Sequence, residues 1–298
     1  MNVLDFFVKL YAPLHNYPMV HKRVLTPFRV AVRYGARMVL PRYLAKTNSA
    51  EPKSHAPIVV SFTSFPARIG NVWQVVECMR RQTCLPDKII LWLSKEQFPD
   101  SDSIPQSLRQ RQGKWFEIRM VEGDIRSHKK YFYIAREEPD ALVFLIDDDI
   151  YYDTRLIERV MEEHQKNPDA VICNYGRHVR RNDDGSLKPY IEWPFEFRYN
   201  ESADLFFGSG GGTFFKPSWL PAELTDIEKA REVCPIADDI WLNAMARLAG
   251  RKIVILENGE KLPVYYQDNV GLFQSNMLGG KNDEQLKAIM ECYGRDLF

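Results

Sequence analysis

From residue 58 onward, short apolar runs alternate with amphipathic segments. IVVSF (58–62), KIILWL (88–93), FEIRM (116–120), ALVFLI (141–146) and AVICNY (170–175) read as strands. Between them lie segments with helical spacing. Val72, Val75, Val76 and Met79 share a face behind Asn71 as cap, a short helix is expected around 105–112, and KYFYIAREEP and a segment near 155–165 are helical. Short, fully apolar strands separated by helices predict an α/β fold with a mostly parallel sheet covered on both faces. Sheets of this kind bind ligands, often nucleotides, at the carboxyl ends of their strands.

The pattern changes beyond about residue 177. Segments 187–200 and 204–216 read as antiparallel strands around the turns RNDDGS and GSGGG, a mixed region after the parallel one. One strong helix is expected over 239–249, closed by Gly250, then a strand KIVIL and an irregular tail. Residues 47–57 (TNSAEPKSHAP) have the composition of a linker. Before it, Leu4, Phe7, Val8 and Tyr11 share one helical face that Pro13 should end. Thr26 with Pro27 should open a second helix running to about Leu40.

Charge changes this picture at the N-terminus. The 298 residues carry 40 Lys+Arg and 40 Asp+Glu. Residues 1–50 hold eight basic side chains and one acid, Asp5, so +7 there is balanced by −7 over the rest. Arg29, Arg33 and Arg37 recur at helical spacing. A basic amphipathic helix of this kind suits an anionic membrane surface; the plainer alternative is a helix packed on its own domain with arginines in water. A −7 body opposes binding to nucleic acid. Five scattered cysteines without a CxxC fit a reducing compartment rather than a disulfide framework or zinc site. No apolar run approaches the ~20 residues of a membrane span, and the first residues lack the pattern of a secretory signal. A cytoplasmic protein, peripheral on the inner face of the membrane, is the expectation.

Four features carry chemistry. Asp147, Asp148 and Asp149 follow directly on the most apolar strand. Three adjacent acids repel one another unless a cation neutralises them, and oxygen-only ligation suits Mg²⁺ or Mn²⁺ shared with substrate phosphates. The alternative is a polar turn capping the next helix, for which Asp153 is better placed. In CPIADDIWLNAMARLAG, Asp238 and Asp239 fall in the first turn of a helix whose buried face includes Trp241. One aspartate there is an ordinary N-cap; two allow one to cap while the other faces a substrate and accepts a proton. The four glycines of GSGGG (208–212) exceed what a hairpin turn needs and suggest a surface against which a bulky acceptor lies. Lys129 and Lys130, at the start of the helix leading to the triple Asp, could neutralise a diphosphate or simply be exposed.

Together, SFTSFPARIGNVWQVVECMRRQTCLPDKIILWLS, SHKKYFYIAREEPDALVFLIDDDIYY, GSGGGTFFKPSWL, CPIADDIWLNAMA and NDEQLKAIMECYG, in this order over about 57–295, resemble a bacterial glycosyltransferase of the GT-A fold. More narrowly, they are similar to the family-2-like enzymes that build capsule and lipopolysaccharide sugars. The resemblance implies a GT-A catalytic domain over 57–298, with a nucleotide-sugar half (57–176) and an acceptor half (177–298). A linker at 51–56 and the basic segment 1–50 would precede it. It further implies Asp149 as ligand of Mn²⁺ or Mg²⁺, aided by Asp147, and Asp147 or Asp148 on the donor ribose. Asp239 would be the base of an inverting displacement and Asp238 its support. Ser61, Thr63, Pro66 and Arg68 would cradle the nucleobase, with Lys129 and Lys130 on the diphosphate. Gly210, Gly211, Gly212 and Trp241 would form the acceptor wall.

The implied donor is a nucleotide sugar, a UDP-sugar in the first instance, and the implied acceptor a lipid-linked or lipopolysaccharide glycan. The chain departs from the resemblance twice. Relatives commonly read uracil with an Asp at the end of the second strand, where this chain has LWLS. Many also supply a late His to the metal; here the last His is His178, so Asp268, a neighbouring amide or water would serve. Two alternatives compete: a metal-dependent phosphohydrolase built on the triple Asp, and a non-catalytic sugar-binding subunit of a polysaccharide assembly complex.

Overall fold

Alternate side chains of each apolar run enter different cores, one on either face of a single sheet. The computed structural model describes residues 1–15, 19–46, 52–257, 262–264 and 280–298. The chain begins with helices α1 (Val3–His15) and α2 (Met19–Leu44). The parallel part follows as β1 (Ser54–Thr63), α3 (Val72–Arg80), β2 (Cys84–Ser94), α4 (Gln106–Arg109), β3 (Phe116–Val121), α5 (Lys129–Glu137) and β4 (Leu142–Ile146). Then come β5 (Ile150–Tyr151), α6 (Leu156–Lys166), β6 (Val171–Cys173), β7 (Gly176–His178), β8 (Phe195–Glu196), β9 (Leu205–Phe207) and β10 (Gly211–Phe215). The last elements are α7 (Ile227–Val233), α8 (Asp238–Leu248), β11 (Ile253–Ile255), β12 (Leu262–Pro263) and α9 (Lys281–Tyr293).

The central sheet has seven strands in the order β11-β6-β10-β4-β1-β2-β3. All its pairings are parallel except those of β10, which runs antiparallel to both β4 and β6. In β4, Val143 and Leu145 join the core formed with α5, α8 and α9, whereas Phe144 and Ile146 join the core formed with α1, α2, α3 and α6. This double burial is why the run is apolar throughout rather than alternating. The reversal at β10 places its first residue, Gly211, opposite Ile146, the last residue of β4. The glycine loop and the triple Asp thus meet at the carboxyl end of the central strands, where β1 also ends. A three-stranded sheet, β8-β7-β9, forms the mixed region beyond.

Several expectations are corrected. Pro13 does not end α1, which reaches His15, and α2 runs continuously through Pro27 and Pro41 instead of starting at Thr26. The expected linker is partly strand, because Ser54 to Ala56 already pair with β2. The glycine loop is not a hairpin turn: β9 before it pairs with β7, and β10 after it with β4 and β6. The expected irregular tail contains α9, whose Leu286 and Ile289 are buried.

Nor are the first residues a loose appendage. Leu4, Val8, Tyr11, Ala36, Leu40 and Leu44 are buried in the same core as Tyr151 and Tyr152. Asp5, itself buried, accepts hydrogen bonds from the Thr154 backbone N–H and hydroxyl, both at 2.8 Å. Arg81 donates to the carbonyls of Leu44 at 3.1 Å and Lys46 at 2.6 Å, closing the end of α2. Truncating a buried aliphatic side chain costs about 2–5 kcal/mol, against about 0.5 kcal/mol or less for an exposed one. Leu40→Ala should therefore lower the unfolding free energy by about 2–5 kcal/mol, whereas Met38→Ala on the exposed side should leave it nearly unchanged. Urea unfolding followed by circular dichroism measures both; equal, small effects would mean that the hairpin does not belong to the core.

Candidate active site

A cavity of about 570 Å³ opens at the carboxyl ends of β1 and β4. Its wall brings together residues far apart in sequence: Thr63, Ser64 and Arg68 after β1, Lys129 and Lys130 at the start of α5, and the three aspartates after β4. Ser209 and Gly210 of the glycine loop and Asp238 and Asp239 of α8 complete the group.

Lys130 lies at its centre. Its ammonium is 2.6 Å from Asp147 Oδ1 and 3.5 Å from Asp238 Oδ2, and the residue is buried. Burial would favour the neutral amine, but Asp147, Asp238 and Asp239 outweigh it and raise the pKa well above the ordinary lysine value. The side chain is therefore a fixed cation. Ser61, at the end of β1, donates to the Lys130 carbonyl at 2.5 Å and accepts from the Trp92 indole at 2.9 Å. His128, two residues earlier, is held between Tyr131 and the Cys234 carbonyl. The turn that presents Lys130 is thus anchored from both sides.

Arg68 occupies the other flank of the triple Asp. It pairs with Asp148 at 2.8 Å and Asp149 at 2.9 Å. Burial opposes its charge, but Asp149 and Asp148 outweigh that and raise its pKa. Asp148 is nearly sealed, with Ser64 Oγ donating to its second oxygen at 2.6 Å. Burial raises its pKa against the pull of Arg68 and Ser64. Asp147 and Asp149 remain about a quarter exposed (27% each). Lys129 is paired with Asp124 instead of the triple Asp.

The glycines answer to intramolecular packing. A Cβ on Gly210 would lie 1.8 Å from Asp147 Oδ1, and one on Gly211 would lie 1.9 Å from the Tyr175 ring. Gly212 adopts φ +105°, a conformation L side chains rarely take. The Gly210 carbonyl accepts from the Tyr152 hydroxyl at 2.5 Å and from the Asp147 N–H at 2.8 Å, locking the loop to the triple Asp. At its other end, Ser209 donates its N–H to Asp239 Oδ1 at 2.7 Å and its hydroxyl to Asp238 Oδ2 at 2.6 Å.

Neither aspartate of α8 caps it; Ala237 is the N-cap and no side-chain cap bond forms. Asp239 lines the cavity, with the Ser209 N–H on its Oδ1. Its pKa is pushed up to about 6, by burial and then by Asp238, against the opposing pull of Lys130 and Ser209.

Of the residues expected in the site, Thr63, Arg68, Lys129, Lys130, all three aspartates, Gly210, Asp238 and Asp239 line this cavity. The others do not. Ser61 is buried behind Lys130, and Pro66 is exposed outside the wall. Gly211 and Gly212 are covered by Tyr175 and Phe144, so they form no acceptor surface. Trp241 is buried in the core, donating to the Leu224 carbonyl at 3.2 Å. Asp268 lies outside the described residues. Sequence reading missed Ser64, Ser209 and Tyr152, the polar groups that fix the acids.

Among the described residues, no three His, Cys, Asp or Glu side chains converge as a metal site. Five carboxylates nevertheless share the cavity wall with three cations, Arg68, Lys130 and the exposed Arg126, with Lys129 and Asp124 a neutral pair beside them. That excess of negative charge, with hard oxygens on Asp147 and Asp149 at the cavity surface, fits a divalent cation held by two carboxylates and completed by phosphate and water.

No protein-family model and no curated protein sequence matches the chain. Solved structures do resemble it. One is a mannosyltransferase from Pyrobaculum calidifontis in complex with GDP-Man and Mn²⁺, at 11% identity and TM-score 0.47, covering 95% of this chain and 76% of that one. Another is a UDP-glucose pyrophosphorylase complexed with UDP-glucose, at 11% identity and TM-score 0.39, covering 82% and 99%. Both scores are below 0.5, so the functional reading rests on the site's own geometry.

Removing Lys130 would leave Asp147 and Asp238 without their shared cation. Breaking a buried ion pair from one side costs about 3–5 kcal/mol, and Lys130→Met should destabilise the fold by that order at pH 8. Urea unfolding measures it; a loss below about 1 kcal/mol would mean that Lys130 is not the shared counter-charge of the two acids.

Proposed function

We propose that this chain is a GT-A-type glycosyltransferase that moves a sugar from a nucleotide-diphosphate donor to a glycan hydroxyl with inversion at the anomeric carbon. The observation that carries this reading is Lys130, which joins the triple Asp to the α8 pair within one cavity. A leaving diphosphate and a proton acceptor are thereby held next to each other.

Arg68 and Lys130 would supply fixed positive charge to the diphosphate, and Thr63, on the adjoining wall, would face the nucleoside. Asp147 and Asp149 would hold Mn²⁺ or Mg²⁺; when bound, the ion stabilises the charge that develops on the leaving diphosphate. Asp148 keeps Arg68 and Ser64 in place, so its role is positioning. The acceptor oxygen attacks the anomeric carbon, and the bond from that carbon to the phosphate oxygen breaks. The nucleoside diphosphate leaves with the electron pair, and the acceptor's proton passes to Asp239 Oδ2. The Ser209 N–H on Oδ1 fixes the direction of the other oxygen. The acceptor we assign is a lipid-linked or lipopolysaccharide-type glycan, reached at an anionic membrane surface, with a UDP-sugar as the first donor to test.

A raised pKa at a general base delays its ionisation, so the transfer rate should climb as pH rises through about 6. Asp239→Asn should cost roughly 10²–10⁴-fold in turnover. The same substitution removes a carboxylate that the fold prefers protonated. The wild type loses stability relative to Asp239→Asn as pH rises through about 6, so the variant should be the more stable protein at pH 8. Near-wild-type transfer by a folded Asp239→Asn protein would overturn the assignment.

Chelation of divalent ions should abolish transfer and weaken nucleoside-diphosphate binding measured by calorimetry. Undiminished binding would remove the roles given to Asp147 and Asp149. Phosphate release from generic esters, without need of a nucleotide sugar, would favour the phosphohydrolase alternative. Absence of both donor hydrolysis and transfer would favour a non-catalytic subunit.

A further inference from the structure

Among the described residues, twelve large hydrophobic side chains are exposed, and eight of them belong to the first 39 residues. On α1 they are Val3, Phe6 and Leu10, spaced three and four apart along one face, with Met1 before them. On α2, Tyr34 and Met38 lie four apart on one side and Phe28 and Val39 eleven apart on the adjoining side, so the four span a broad outward arc. Phe28 is 61% exposed and Tyr34 64%. The opposite faces of the same helices are buried against the body. Phe7 meets α2 at Gly35, where an added Cβ would stand 3.3 Å from its ring, so the two helices lie in direct contact.

The exposed charges that α1 and α2 carry among the described residues have one sign. Lys9, Arg37, Arg42 and Lys46 are exposed, and Arg29 and Arg33 are half-buried, with Arg29 over the Tyr11 ring. The one acid of residues 1–50, Asp5, is turned inward onto Thr154. Exposed aromatic and aliphatic groups bordered by cations, with no exposed carboxylate among them, complement a surface that is apolar inside and anionic outside. No helix of the described residues is long and apolar enough to cross a membrane.

We infer that α1 and α2 form a docking face for an anionic lipid bilayer, with Phe6, Leu10, Phe28 and Met38 entering the interface and Lys9, Arg37 and Arg42 engaging lipid headgroups. This deepens the proposed transfer to a membrane-borne acceptor and rests on it only for its biological purpose. The hairpin is part of the core, so docking orients the whole body. Asp5 holds Thr154, which follows the triple-Asp segment by five residues. The lipid-facing helices and the donor end of the cavity therefore move as one piece.

The test is sedimentation of the full-length protein with vesicles of phosphatidylcholine alone and of phosphatidylcholine with phosphatidylglycerol. Binding is expected to the anionic vesicles and to fall as salt rises. Each cation near the surface contributes about 1 kcal/mol, or about fivefold in binding, so Arg37→Gln with Arg42→Gln should weaken it by about twentyfold or more. Phe28→Glu with Met38→Glu should abolish pelleting while circular dichroism and vesicle-free donor hydrolysis stay at wild-type levels. No binding to anionic vesicles at low salt, or binding that both double variants leave intact, would overturn the inference. So would a dimer by light scattering that Phe28→Glu with Met38→Glu converts to monomer, since a second copy would then cover the face. Loss of donor hydrolysis in Asp239→Asn with vesicle binding retained would separate the two proposals.

Discussion

A single buried ammonium governs how the rest of the site is arranged. Asp147 and Asp238 are ninety-one residues apart, and each would be costly to enclose alone. Lys130 lies 2.6 Å from one and 3.5 Å from the other, so the fold can place both at one cavity wall. A cation this deeply enclosed needs a rigid frame, or it would move toward water. The frame is built from three directions: Ser61 on its own carbonyl, His128 wedged against Cys234, and Ser209 tying the second acid pair to the glycine loop. Removing any of these frees the lysine rather than a contact to substrate. Buried and dry, the charge acts at closer to full strength than it would in water.

The glycine loop is the other half of the arrangement, and its composition follows from the antiparallel strand. Because β10 enters the sheet against the direction of β4, its preceding loop must pass directly over the end of β4, where Asp147 stands. Backbone can pass there only without a Cβ, which is why Gly210 lies under the Asp147 carboxylate and Gly211 under Tyr175. The same passage carries Ser209 to α8. One reversed strand thus links the two acid clusters through a loop of three residues, 208–210.

The parallel strands and their helices were legible because double burial leaves an unmistakable apolar run, as in ALVFLI. The acid clusters were legible because carboxylates at the end of such a run, or paired at a helix start, demand a counter-charge. What that charge is could not be read. Arg68 and Lys130 look like any other basic residues until the sheet brings them within about 3 Å of the acids. Ser61 and Trp241 are close to site residues in sequence yet lie outside the cavity: Ser61 shares a strand face with Thr63 but sits two residues deeper, beneath Lys130, and helix periodicity turns Trp241 inward. The glycine block signalled close approach correctly, yet not that the approaching groups would be Asp147 and Tyr175. Pro27 and Pro41 suggested helix boundaries that the packing of Ala36, Leu40 and Leu44 overrides.

That packing also changes the meaning of the basic N-terminus. A tethered head would raise local concentration at a membrane without fixing orientation. A hairpin that buries Leu4, Val8 and Leu40 in the main core and hydrogen-bonds Thr154 cannot swing independently of the donor loop. An apolar, cationic face on such an element then fixes which way the cavity points. For an acceptor confined to a bilayer, orientation matters more than proximity, because the hydroxyl must arrive opposite the leaving diphosphate for a direct displacement. Burying Asp5 serves this twice over: it leaves the outer face free of negative charge and ties the inner face to the segment that carries Asp147, Asp148 and Asp149.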